Sequence, residues 1–168
     1  MRWGMNAPRI LLILVAAFAA LALPATASAG VPAKNLVKYV NKVRNAHGLK
    51  KVKLSSGLSE AARRHSRDML RRQYFAHTSP TGVTLYDRVV RSSFTTRGRW
   101  YAGETLAWGS GPRGKAKNIV KAWMNSPSHR AVILSRNPRY GWIGVSRVRG
   151  KFLGNRDARV WTADFGQR

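Results

Sequence analysis

The stretch WIGVSRVRGKFLGNRDARVWTADF, residues 142–165, decides the fold class of this chain. Both of its ends, residues 142–148 and 158–165, are rich in residues that favour β-strands. At the second end, Trp161, Ala163 and Phe165 alternate with Val160, Thr162 and Asp164. This alternation has the period of a strand. We therefore predict a hairpin of two antiparallel strands joined by residues 152–157.

Helical patterns fill much of the chain before this hairpin. Apolar side chains recur at helical spacing, and the predicted helices span residues 34–46, 56–73, 85–90 and 115–125. Gly48 ends the first of them. The segment YAGETLAWGSG, residues 101–111, contains too many glycines to stay regular for long. Helices that come first and paired strands that come last predict an α+β fold, with the helices packed on an antiparallel sheet.

Residues 1–29 have the organisation of an export signal. Arg2 and Arg9 make the start of the segment positive, residues 10–23 form an uninterrupted apolar run, and residues 27–29, Ala-Ser-Ala, resemble a cleavage site. An uncleaved membrane anchor is the alternative, but the apolar run is shorter than the roughly 20 residues that span a bilayer. We expect cleavage near Ala29 and a secreted or envelope-associated product in which residues 30–168 form one domain.

The chain is strongly cationic and contains no cysteine. It has 31 Lys and Arg residues against 6 Asp and Glu, a net charge of +25, which becomes +23 when Arg2 and Arg9 leave with the signal. Because disulfides are excluded, stability must come from core packing. A field of this sign attracts anionic cell-wall polymers, anionic lipid surfaces and extracellular nucleic acid, although solubility alone is an alternative reason for it. The basic residues form no long block, so we do not expect specific nucleic-acid recognition.

Three polar residues at the joins between apolar segments and loops are candidates for chemistry: His77, Glu104 and His129. The chain has neither a Gly-x-Ser-x-Gly nucleophile motif nor a His-Glu-x-x-His metal motif. Two imidazoles and one carboxylate are enough to hold a zinc-like ion with an open position, or to polarise one water molecule. Each residue also has a local alternative, since His77 can bond turn carbonyls and Glu104 can pair with an arginine. Spacing alone leaves both interpretations open.

Local structure accounts for part of the histidine pattern. Ser126 and Pro127 suit the N-cap and first position of a helix, which places His129 in the first turn. The helix dipole disfavours a charged imidazole there. His47 and His65 lie beside apolar residues on helix faces, and we predict that both pack in the core or at its edge.

Five motifs in order give the chain a family resemblance. They are YFAHTSPTG (residues 74–82), AGETLAWG (102–109), AWMNSPSHRAVIL (122–134), IGVS (143–146) and VWTADFG (160–166). Over residues 36–166 the chain resembles the bacterial branch of the CAP superfamily, the domain shared by cysteine-rich secretory proteins, antigen 5 and pathogenesis-related 1 proteins. The resemblance implies a three-layer α-β-α sandwich with a central groove. His77, Glu104 and His129 match the clustered His and Glu positions, which in relatives can bind a divalent cation such as zinc.

Two departures from the family pattern bear on the site. Thr105 stands where an Asn commonly follows the acid, and Trp142 stands where many relatives have a second acid. We therefore expect a site with one carboxylate, Glu104. A single carboxylate in a cationic protein offsets little of the charge of a dication, whereas cationic surroundings keep His77 and His129 neutral, as ligands must be. Binding of zinc or another divalent metal is expected to be weak or conditional.

These observations favour a monomeric, non-enzymatic binding protein of the cell envelope or its surroundings. Its groove would take a small ligand or a metal, while its charge would hold it on anionic polymer or lipid. The first alternative is a metal-assisted hydrolase of peptide or wall polymer, with Glu104 as general base and His77 and His129 holding a metal or polarising the reacting group. The second is a polyanion or nucleic-acid binder that stacks bases on Trp100, Tyr101 and Trp108.

Overall fold

The computed structural model describes residues 30–168 of the chain, so the expected export signal lies outside the described residues. The elements are α1 (Val31–Ala46), β1 (Lys53–Leu54), α2 (Ser56–Arg72), α3 (Leu85–Val90), β2 (Tyr101–Ser110), a short 3-10 helix (Gly111–Gly114), α4 (Ala116–Met124), α5 (Pro127–Ile133), β3 (Trp142–Phe152) and β4 (Asn155–Gln167). The four predicted helices and the predicted start of α5 are all present. Within this range, no helix has the length and apolar character needed to span a membrane.

The four strands form one sheet in the order β1-β3-β4-β2. β3, β4 and β2 pair antiparallel, whereas the two residues of β1 pair parallel with the start of β3. The α+β sandwich is confirmed, with a mixed sheet because of this short edge strand. α1 and α4 contribute to the apolar cluster on one face of the sheet, and α2 covers the other face. Both faces of β4 are therefore buried.

The hairpin turn is tighter than predicted. β3 continues to Phe152 and pairs there with Asn155, so that only Leu153 and Gly154 connect the strands. Both residues have positive φ, 44° and 84°. A two-residue turn with positive φ at both positions matches the right-handed twist of paired strands, and glycine adopts that conformation without steric cost.

β2 corrects the expectation that residues 101–111 would be irregular. The strand pairs with β4 along its whole length, from Tyr101 to Ser110. Its glycines serve close packing instead. A Cβ at Gly103 would lie 2.6 Å from the hydroxyl oxygen of Tyr140, and one at Gly109 would lie 3.0 Å from the backbone of Arg113. The glycine content therefore reflects neighbours that approach the strand and does not interrupt it.

α2 crosses β3 at very short range. A Cβ on Gly144 would lie 2.0 Å from the carbonyl carbon of Leu58, so the absent side chain permits the contact. Beneath α2 there are two apolar clusters, one containing Leu58 and one containing Met69. Buried polar residues of α2, β2 and β4 lie in this same interface, and we call them the polar layer: His65, Ser66, Glu104, Thr162 and Asp164. This layer positions the candidate site.

Candidate functional site

His77 and Glu104 are in direct contact. Glu104 lies on β2 and is 7% exposed, whereas His77 lies in the loop after α2 with 58% of its side chain exposed. The Nδ1 atom of His77 is 2.7 Å from Oε1 of Glu104. Since a carboxylate only accepts, Nδ1 carries a proton and donates it, and this bond fixes the orientation of the ring. The arrangement presents one oriented imidazole at the surface.

Arg88 of α3 occupies the other oxygen of Glu104. Its Nη2 is 2.7 Å from Oε2, and its Nη1 donates to the carbonyl oxygens of His77 (3.1 Å) and Val83 (3.2 Å). The side chain of Arg88 is 5% exposed. Thr84 and Asp87 form a capping box that fixes the start of α3. Arg88 therefore joins Glu104 to the loop that carries His77.

His65 also contacts this arrangement. It is buried on α2, as predicted, with Nε2 2.9 Å from the carbonyl oxygen of Ala76 and 3.9 Å from Oε1 of Glu104. Burial lowers the pKa of His65, although the charge of Glu104 partly offsets this. The prediction for His47 is wrong. That residue is exposed because α1 ends at Ala46 and His47 forms its C-cap, beyond the packed face of the helix.

Asp164 is a second carboxyl group beside the site, whereas Glu104 is the single carboxylate that contacts His77, as expected. It lies opposite Glu104 in the register of β4 and β2, and it is fully buried. Burial and the charge of Glu104 raise the pKa of Asp164 well above its ordinary value. Neither oxygen of Asp164 has a hydrogen-bond donor among the described residues, so an ionised Asp164 would be a buried charge without a partner and the protonated form is favoured. Trp142, where a second acid was looked for, packs against an apolar cluster beneath α2.

Glu104 is the ionised member of the two acids. Burial alone would raise its pKa, but the hydrogen bond from His77 and the charge of Arg88 hold the pKa below its usual value. The carboxylate is therefore a fixed negative charge with a partner on each oxygen.

His129 lies on α5, where the charge of His77 reaches it but no hydrogen bond joins it to the other two predicted residues. In the described part of the chain it makes no hydrogen bond with His77 or Glu104, and its ring lies 6.5 Å from that of Trp123. Burial, and secondarily the charge of His77, lowers the pKa of His129, so the ring is neutral near pH 7. Ser126 holds the N-cap position of α5 and Pro127 follows it, as predicted. We call His77, Arg88, Glu104 and His129 the His–Glu site.

Buried Arg44 holds the far end of α5. Its guanidinium donates to the carbonyl oxygens of Lys50 (3.0 Å), Ile133 (2.7 Å) and Tyr140 (3.1 Å). Ile133 is the last residue of α5 and Tyr140 precedes β3. The helix that carries His129 is therefore anchored to α1 through one side chain.

The residues present do not fit the divalent cation that the resemblance implies. No group of three or more His, Asp or Glu side chains within residues 30–168 is arranged to hold a metal ion. The oxygens of Glu104 already face Arg88 and the Nδ1 proton of His77. A dication at Glu104 would have to displace a buried guanidinium, and it would leave that guanidinium without its counter-charge.

Sequence analysis missed Arg88 and Asp164, and it placed His65 only in the core. A signal for Arg88 was present, because it lies three residues after Leu85 and next to Val89, on the face of α3 that packs inward. Asp164 alternates with Thr162 and was visible as a polar residue in a strand. The strand register that brings Asp164 opposite Glu104 was not visible.

Comparison with known proteins finds relatives of this chain. Residues 37–165 match the profile of the Cysteine-rich secretory protein family, CAP. The protein YkwD of Bacillus subtilis (strain 168) is 35% identical over 132 residues, which cover 79% of this chain and 46% of YkwD. The membrane protein YlbC of the same organism is 31% identical over 116 residues, which cover 68% of this chain and 31% of YlbC. The chain thus spans less than half the length of these curated relatives.

Solved structures share the fold. An extracellular protein containing an SCP domain from Bacillus anthracis str. Ames aligns with a TM-score of 0.65 and 25% identity, over 80% of this chain and 40% of that one. An outer surface protein from Borrelia burgdorferi aligns with the same TM-score and 23% identity, over 80% of this chain and 91% of that one.

Proposed function

Since the chain belongs to the CAP family of cysteine-rich secretory proteins, we propose that it is an exported binding protein of the cell envelope, without catalytic activity. Relatives described as extracellular or outer surface proteins support the location. The observation that carries the proposal is the state of Glu104. Both of its oxygens accept a hydrogen bond from a basic side chain and its side chain is 2% exposed, so the carboxylate is shielded from water and from a substrate whose proton it would have to take.

The ligand of the His–Glu site is a small molecule rich in hydroxyl groups. Nδ1 of His77 donates to Glu104, which leaves Nε2 as the ring nitrogen for a ligand, and His129 is neutral. Hydroxyl groups both donate and accept hydrogen bonds, so they can bond imidazole nitrogens whether or not these carry a proton. Soluble fragments of wall glycan are the probe, and binding is measured by calorimetry. We expect His77→Ala and His129→Ala to weaken binding about tenfold or more, and the matched control His47→Ala to leave it unchanged. Equal affinity in all four proteins would overturn this assignment.

The cationic surface holds the protein on anionic material. A net charge of +25 gives binding that depends on the release of counterions and therefore falls steeply as salt rises. Sedimentation with purified wall material and with anionic vesicles at low and high salt measures this. The surface part of the proposal fails if neither material binds the protein at low salt.

We also propose that the His–Glu site works without a divalent metal, because Arg88 already neutralises Glu104. Metal analysis of the purified wild-type protein and of His77→Ala is expected to give equal, near-zero zinc. Stoichiometric zinc in the wild type that is lost in the variant would contradict this.

One observation favours hydrolysis as a second candidate function. The contact between His77 and Glu104 resembles a general base held by an orienting carboxylate, which makes His77 the base instead of Glu104. Glu104→Gln and His77→Ala would then each abolish cleavage of peptide or wall glycan, while His47→Ala would not. Cleavage that survives both substitutions removes this candidate.

The nucleic-acid alternative finds less support from the aromatic residues. The ring of Trp100 lies 5.3 Å from that of Tyr86, and the ring of Trp108 lies 5.6 Å from that of Phe152. Both tryptophans pack against apolar clusters beneath α2. Of the three proposed stacking residues, only Tyr101 is exposed, so these residues do not form a platform for successive bases.

A further inference from the structure

A cavity of about 380 Å³ opens between α2, α3 and the loop that connects them. Its lining includes five arginines, Arg64, Arg71, Arg72, Arg88 and Arg91. We call this cavity the arginine cleft. His77, Glu104 and His129 do not line it, so it is a separate site that shares only Arg88 with the His–Glu site.

Positive charge is in excess in the arginine cleft. The carboxylates that pair with its arginines are Asp68 with Arg71 and Arg72, Glu60 with Arg64, and Glu104 with Arg88. Five guanidinium groups thus meet three ion-paired carboxylates, and the charge of Asp87 near Arg91 and Arg88 adds a fourth, which leaves one positive charge in excess. Arg91 is exposed and takes part in no ion pair within residues 30–168. An anion that enters the cleft meets a field that favours it.

One buried donor of the cleft also has no acceptor. Nη1 and Nη2 of Arg88 are hydrogen-bonded, but its buried Nε has no partner among the described residues. Buried N–H groups without an acceptor are rare in folded proteins, so Arg88 retains one donor that its pairing with Glu104 and the loop does not use. The loop side of the cleft adds the hydroxyl groups of Ser79 and Thr81, which lie 3.0 Å apart.

We infer that the arginine cleft binds the phosphate group of a small polyol phosphate ester, of which glycerol phosphate is the simplest. Guanidinium groups match the oxygens of phosphate in a bidentate fork, and arginines that approach from α2 and α3 suit a tetrahedral anion better than a planar carboxylate. The cavity is larger than a phosphate ion, and the hydroxyls of Ser79 and Thr81 can bond the polyol. The inference rests on the proposed function, because it specifies the anion that the cationic surface takes.

The first test is calorimetric titration of the purified protein with glycerol 3-phosphate at low salt. The cleft variant is Arg72→Gln with Arg91→Gln. The matched control is Arg63→Gln with Arg67→Gln, which removes the same charge from exposed positions of α2 outside the cleft. We expect the cleft variant to bind about tenfold more weakly or worse, since charge-assisted hydrogen bonds are lost, and the control to change less than about twofold. No binding by the wild type, or equal weakening in both variants, overturns the inference.

The second test identifies the source of the ester and separates this inference from the proposed function. Vesicles containing phosphatidylglycerol and soluble poly(glycerol phosphate) are offered to the same three proteins. Selective loss of polymer binding in the cleft variant assigns the ester to a wall polymer, and selective loss of vesicle binding assigns it to lipid. If all three proteins bind both materials equally, the cleft inference fails while the proposed function stands. If none binds either material at low salt, both fail.

Discussion

Arg88 and Glu104 are two buried charges that each depend on the other. The side chains are 5% and 2% exposed, and their closest atoms are 2.7 Å apart. Removing one partner from such a pair leaves an uncompensated charge in the interior, which costs far more than the pair itself contributes.

Replacing Arg88 with Met is expected to lower the free energy of unfolding by about 3–5 kcal/mol, because Glu104 loses its counter-charge. The variant that also carries Glu104→Gln should recover much of that loss. Urea unfolding of the wild type, both single variants and the double variant measures the coupling. Single losses below about 1 kcal/mol would show that water solvates Glu104 in place of Arg88.

Asp164 is protonated where Glu104 is ionised, and this determines how its contribution to stability changes with pH. Because its folded pKa is raised, the folded state holds a proton that the unfolded state releases above about pH 4. The stability contributed by Asp164 is therefore complete below that pH and is lost as pH rises through the folded pKa. Asn mimics the protonated acid, since its amide has a similar shape and stays neutral at every pH.

As the pH rises from 4 to 8, the Asp164→Asn variant should therefore lose less stability than the wild type does. Thermal unfolding across this pH range measures the difference. Asp157→Asn is the control, because Asp157 lies at the surface and its pKa is lowered by the hydrogen bond with Arg149, so it titrates below this range. Parallel pH profiles for the wild type and Asp164→Asn would contradict the raised pKa.

At the scale of elements, the contact between α2 and β3 sets the position of the polar layer. No side chain fits between the two elements at Gly144. The same contact places His65 of α2 beside Glu104 of β2, 3.9 Å from its carboxylate. A change in the spacing of α2 would therefore reach the site.

Gly144→Ala is expected to destabilise the fold by about 3 kcal/mol or more, at the upper end of the cost of overpacking, because the added Cβ meets the backbone of Leu58. Gly141→Ala is the matched control, since a Cβ there meets nothing within 4 Å. Urea midpoints of the two variants decide the matter. A similar small loss in both would mean that α2 moves away easily.

The sequence was a good guide to elements whose pattern is local. Apolar periodicity predicted α3 at its observed bounds and α4 to within one residue at each end, and strand alternation predicted the hairpin. β2 was missed because its glycines respond to neighbours such as Tyr140 that are distant in the chain. The features of the site also divide into those set by local sequence and those set by tertiary structure. His77 and Glu104 follow from motifs, whereas the pairing of Glu104 with Asp164 depends on strand register and its pairing with Arg88 depends on tertiary packing.

At the scale of the whole molecule, the many basic side chains repel one another. With 31 basic and 6 acidic residues, most cations have no acidic neighbour to pair with. Such self-repulsion destabilises a compact state, and it is screened over about 10 Å at 0.1 M salt.

Raising NaCl from about 20 mM to about 200 mM should therefore raise the melting temperature of the protein, because screening relieves the folded state more than the expanded one. Differential scanning calorimetry at fixed pH measures the shift, with sucrose at equal osmolality as the control for solute exclusion. A fall in melting temperature would mean that ion pairs such as that of Arg149 and Asp157 outweigh the repulsion.

The guanidinium of Arg88 belongs to both the arginine cleft and the His–Glu site, so binding at the two sites is thermodynamically linked. Any ligand of the cleft that draws Arg88 away from Glu104 must increase the affinity of the freed carboxylate for a cation. By thermodynamic linkage, a cation at Glu104 must then increase the affinity of the cleft for its anion by the same factor. Occupancy of the cleft and the charge state of Glu104 would thus be coupled through a single side chain.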